Sequence, residues 1–133
     1  MRATALDIEA VGTFDVKLTP IGTGNSPIGS MSIEKTFHGD LEGSSLGQML
    51  AFRSDVKGSA GYVAMERVTG TLAGRRGSFT LQHSGSMDKG AQSLTVAVVP
   101  DSGTEDLVGL GGTMNIIVDA GKHDYRFRYT LPG

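Results

Sequence analysis

The sequence predicts an all-β protein, a sandwich or an antiparallel barrel of about eight strands. Three observations predict it. Short alternating apolar runs recur between turn signals. Glycine is abundant, 20 of 133 residues, and spread along the chain without a collagen period. The closing run from His123 to Leu131 alternates throughout, with His123, Tyr125, Phe127, Tyr129 and Leu131 on one face and Asp124, Arg126, Arg128 and Thr130 on the other.

In chain order, Leu6 to Leu18 reads as a first strand, bent at Gly12, with Phe14, Val16 and Leu18 on one side. The segment TPIGTGNSPIG, Thr19 to Gly29, reads as a loop. Met31, Ile33 and Phe37 then alternate with Ser32, Glu34, Thr36 and His38 in a second strand. Leu41 to Arg53 is assigned as a strand against a helical alternative. Leu46, Met49 and Leu50 have helical spacing, but Gly43 and Gly47 would each cost a helix about 1 kcal/mol.

The central stretch, Ser59 to Gly85, reads as two strands folded back around Ala73-Gly74-Arg75-Arg76. A loop of four residues would set Val68 opposite Leu81 and Glu66 opposite His83. Tyr62, Ala64, Glu66 and Val68 would then share a face with Phe79, Leu81 and His83. Ser86 to Ala91 is a loop and Gln92 to Val99 a strand with Leu94, Val96 and Val98 on one side. Pro100 to Asp106 is turn chemistry, and Leu107 to Val118 resumes the sheet before a turn at Asp119 to Lys122.

Length and composition bound the rest. A chain of 133 residues fits one domain, and no linker divides it, so residues 1–133 are expected to form a single barrel domain. The net charge of −2 leaves no basic footprint for nucleic acid or an anionic membrane. The absence of cysteine excludes a disulfide scaffold, a thiol nucleophile and thiolate zinc sites. MRATALDIEA lacks the apolar run of a signal peptide, and no segment reaches the roughly 20 apolar residues of a membrane span. A soluble cytoplasmic protein without a cofactor is the expectation.

At HGDLEGSSLGQML, GSAGYVAMERVTGTLAGRRGSFTLQHSG and VVPDSGTEDLVGLGG the sequence resembles a bacterial domain-of-unknown-function family. That family has the small closed barrel also seen in allene oxide cyclase and dirigent proteins. The resemblance runs from about Gly12 to Leu131. It implies a single closed antiparallel β-barrel of about eight strands, allene oxide cyclase-like, and supports the strand assignment for Leu41 to Arg53. It transfers no site residues, and fold likeness alone does not give a function.

The chemistry-bearing residues are few. Glu66 and His83 form the leading candidate pair, a carboxylate orienting an imidazole for acid/base work, against the plain reading of a structural hydrogen bond. Tyr62 and Tyr125 are the candidate ligand contacts beside them, against the reading that they, Phe127 and Tyr129 are barrel filling. His38, Asp40 and Glu42 alternate as metal ligands might be spaced, but a bend at Gly39 and Gly43 favours a solvated strand end, and no metal is expected. Arg67, Arg126 and Arg128 are placed on an outer face or at a subunit contact. No phosphate loop or serine elbow is present.

Three functions follow. The first is a barrel binding a small, mainly apolar molecule near Tyr62, Glu66, His83 and Tyr125. The second is an isomerase or cyclase in which Glu66 and His83 move a proton. The third is a filled barrel with an assembly role, a homo-oligomer built through an outer face. Small residues at Gly43, Ser45, Gly47, Ala51, Gly61 and Ala64 favour a hollow lumen near Glu66.

Overall fold

A computed structural model describes residues 8–22 and 26–132. Eight strands run antiparallel in sequence order: β1 Ile8–Ile21, β2 Gly29–Gly39, β3 Leu41–Arg53, β4 Ala60–Leu72, β5 Arg75–Asp88, β6 Ala91–Val98, β7 Gly111–Asp119 and β8 Lys122–Thr130. β8 pairs with β1, so the sheet closes into a barrel. The closed all-β barrel is the architecture expected from the sequence. Leu41 to Arg53 is a strand, and its exposed Leu46 and Leu50 belong to the outer face. The expected start of the first strand at Leu6, and residues 23–25 of the first loop, lie outside the described residues.

Three hairpins turn on two residues: Ala73-Gly74, Lys89-Gly90 and Ala120-Gly121. Both residues of each pair have positive φ (48° and 88° at Ala73-Gly74), the geometry whose twist matches that of the flanking strands. This corrects the register expected for the central hairpin. Arg75 and Arg76 belong to β5 and pair with Leu72 and Thr71, so Val68 faces Phe79, Glu66 faces Leu81 and Ala64 faces His83. The slip is two residues, and an even slip leaves every side chain on its expected face.

The interior is filled at one end and open at the other. At the filled end Phe79 stacks on Phe127, and Phe127 on Tyr129, with centroids 5.7 and 5.3 Å apart. The loop between β6 and β7 carries a short 3-10 turn, Glu105–Leu107, that drives Leu107 and Leu110 into this core. Gly77 makes room for it, since a Cβ there would meet the Leu107 side chain and the Thr104 carbonyl. At the other end β6 and β7 pair only at Ala97 and Thr113 among the described residues, and β6 is exposed from Ala91 to Thr95. The mouth therefore lies between the β3–β4 and β5–β6 turns.

Candidate functional site

Period-two alternation carries Lys35 of β2, Ser45 of β3, Glu66 of β4 and His83 of β5 to the barrel interior. All four are at most 8% exposed and lie on neighbouring strands at similar height. Glu66 is the hub. Its Oε1 accepts from Lys35 Nζ at 2.8 Å and from His83 Nε2 at 2.5 Å, and its Oε2 accepts from Ser45 Oγ at 2.5 Å. Gly47, opposite Glu66, makes this packing tolerable. A Cβ at Gly47 would overlap the Met65 carbonyl oxygen and crowd Glu66 Cβ.

Burial alone would raise the Glu66 pKa. The hydrogen bond from His83, the charge and hydrogen bond of Lys35, and the hydrogen bond from Ser45 outweigh it and hold the carboxyl at about 2. Glu66 is therefore a carboxylate that can only accept, so Nε2 of His83 carries the proton. In the neutral ring the lone pair then sits on Nδ1. Nδ1 has no hydrogen-bond partner among the described residues, and the ring as a whole is 3% exposed. The Lys35 ammonium lies 4.8 Å from the Phe14 ring centroid and 5.9 Å from that of Phe37, which packs its remaining surface against π-faces.

A cavity of about 700 Å³ opens at the mouth. Met49 and Ala51 of β3, Tyr62 of β4, Gly85 and Met87 of β5 and Leu94 of β6 line it. It stops one layer short of Glu66 and His83. Tyr62 joins the two: it lines the cavity, and its hydroxyl is raised above the usual range by burial first and by the charge of Glu66 second. Its ring lies across Gly85, where a Cβ would come within 2.5 Å of Cε1. The hydroxyl has no partner among the described residues.

Of the residues singled out from the sequence, the structure brings Glu66 and His83 into contact and sets Tyr62 above them. It places Tyr125 elsewhere. That hydroxyl donates to the His38 carbonyl at 3.0 Å and accepts from the Leu41 amide at 2.9 Å, pinning the β2–β3 turn, and Tyr125 lines no part of the cavity. Ala51 borders the cavity as expected. Gly61 borders it too, but alternates out of phase with Tyr62 and Ala64. Asp40 and Glu42 accept from the backbone amides of Val11 and Gly39, while His38 faces Asp15 at 3.2 Å on the surface. Among the described residues no group of His, Asp and Glu could hold a metal ion. Arg67 lies outside, bonded to Thr80 Oγ1 and the Ser102 carbonyl.

Lys35 and Ser45 were not recognised as partners of the carboxylate from the sequence. The signal for Lys35 is its place in Ile33-x-Lys35-x-Phe37, in phase with two buried apolar residues.

Fold and site together define a small closed barrel with a buried ionic cluster beneath an open mouth. Residues 10–129 match the DUF3224 family, proteins of unknown function, and the chain belongs to that family. It is similar to a crystal structure of a DUF3224 protein of unknown function from Shewanella oneidensis MR-1, at 47% identity and a TM-score of 0.89, over 96% of this chain and 100% of that one. No curated protein matches the chain. Among the described residues no helix is long and apolar enough to cross a membrane.

Proposed function

We propose that the protein binds a small, mainly apolar molecule in the mouth of its barrel. The cavity of about 700 Å³ carries this reading, a volume within the usual range for small-molecule sites. Its methionine, leucine, phenylalanine and alanine lining suits an apolar body, and Tyr62, with Arg53, Gln92 and the serines of the lining, offers directional polar contacts. The resemblance to allene oxide cyclase-like barrels is in keeping with a hollow interior. Titration with an apolar fluorescent dye tests the reading. Wild-type protein should bind the dye saturably, and Ala51→Trp, which fills the mouth, should abolish binding. A dye that binds both equally rejects the cavity as the site.

A second reading rests on the Nδ1 of His83, which has no partner among the described residues and lies one layer below the cavity. A base oriented by Glu66, beneath a cavity that Tyr62 lines, suits proton transfer on a molecule that reaches it, as in an isomerase or cyclase. Its test is exchange: α-hydrogens of an apolar ketone should exchange with deuterated water faster with wild-type protein than with His83→Gln. Equal rates reject it. The filled-barrel assembly reading loses ground, because the aromatic filling stops short of the mouth.

A further inference from the structure

The outer face of β2, β3 and β4 carries an apolar stripe that the barrel leaves uncovered. Leu46 is 68% exposed, Val63 52%, Met65 50%, Leu50 49% and Phe52 46%. Contiguous apolar surface of this kind is uncommon on a protein that stays monomeric. The register orders the face into three rows running from β2 across β3 to β4: Glu34–Leu46–Arg67, Ser32–Gln48–Met65 and Ser30–Leu50–Val63.

Each row is complementary to its own reverse. An acid ends the first row on β2 and a base ends it on β4. In the other two rows a serine on β2 stands level with a large apolar residue on β4. A two-fold axis parallel to β3 and lying in the contact plane exchanges the β2 and β4 sides while keeping each row at its own level. Under that operation Glu34 of one copy lies over Arg67 of the other, Ser32 over Met65, and Ser30 over Val63, with Leu46, Gln48 and Leu50 each meeting their own copies at the axis, where two amides can pair. On the flanking strands large side chains thus face small ones and the charges oppose, while like residues meet along the axis. Glu34 makes no hydrogen bond or ion pair among the described residues. Arg67 engages Thr80 and Ser102 through Nη1 alone, which leaves the rest of the guanidinium fork for a carboxylate.

We propose that this face is an isologous interface with a second copy of the same chain, packed sheet on sheet about an axis along β3. A closed two-fold contact needs one self-complementary patch, which is what the rows supply. An axis inclined by about 15° to β3 within the contact plane gives the roughly 30° between strand directions that aligned packing of twisted sheets favours, and leaves the rows nearly level close to the axis. The proposal is independent of ligand binding, because no residue of the three rows lines the cavity; of the stripe only Phe52, at its end, borders both.

Sedimentation of the full chain tests it. Wild-type protein should be a dimer in the micromolar range, and Leu46→Asp, at an exposed position, should make it a monomer with an unchanged circular dichroism spectrum. Glu34→Arg and Arg67→Glu should each weaken the dimer about tenfold or more, since each sets like charges face to face. The double variant should recover most of that loss, because the pair is re-formed with its signs exchanged. A monomeric wild type, a dimer insensitive to Leu46→Asp, or a double variant no better than the single ones would each overturn the proposal.

Discussion

Glu66 Oε1 lies 2.5 Å from His83 Nε2, although the two residues are not paired across the hairpin: Glu66 is level with Leu81, and His83 with Ala64. The contact is diagonal, within the reach of long side chains on one face. It is completed by Lys35 from two strands away. Breaking a buried pair by removing one partner costs more than the pair contributes, because the other charge is left unmatched. Glu66→Gln should therefore destabilise the protein by about 3 kcal/mol or more at neutral pH, read from urea unfolding. A loss under about 1 kcal/mol would show that the cluster is not held by charge.

The same carboxyl sets an acid limit. Its pKa falls from an ordinary 4.5 to about 2 on folding. A lowered folded pKa stabilises the fold above the unfolded value, and that stabilisation is lost as pH falls through the folded one. On the order of 3 kcal/mol should disappear between pH 4.5 and about 2. In Glu66→Gln this part of the pH dependence should be missing. Parallel stability–pH curves for the two proteins across that window would contradict the assignment.

Two glycines beside the site should respond differently to alanine. At Gly47 the new Cβ meets backbone, the Met65 carbonyl and Glu66 Cα, which cannot rotate away. At Gly85 it meets only side chains, Tyr62 and Leu94. Gly47→Ala should cost roughly 3 kcal/mol or more, and Gly85→Ala about 1 kcal/mol with a displaced Tyr62 ring. The reverse order in thermal or chemical unfolding would refute this account of the packing.

Ala73 occupies the first turn position of the β4–β5 hairpin at a φ of 48°, where a Cβ is disfavoured. Asparagine tolerates that conformation better. Ala73→Asn should stabilise the protein by about 0.5–1 kcal/mol, and destabilisation would show that the turn is not of this type.

The sequence carried the barrel because alternation and turn residues agreed over most of its length. Face assignments survived the misjudged central turn, since two-residue and four-residue loops share the same parity. Contact partners were harder to read. Glu66 and His83 were legible as a pair because the hairpin is local. Lys35 was missed because it arrives from β2, and a lone lysine between apolar residues is by default placed in solvent. Alternation with Phe127 and Tyr129 marks Tyr125 as inward-facing but does not tell a ligand contact from a structural one. Its hydroxyl instead satisfies the β2–β3 turn, a backbone partner more than 80 residues away in sequence.

The central claim, an apolar ligand site confined to the mouth, is tested most directly by the methionines. Met49 and Met87 line the cavity, Met114 is buried away from it, and Met65 lies on the outer face. In a titration with N-phenylnaphthylamine followed by NMR of carbon-labelled methionine methyls, the Met49 and Met87 signals should shift saturably while Met114 and Met65 stay in place. Shifts at Met65 with Met49 and Met87 unmoved, or no saturable shift at any methyl, would contradict it.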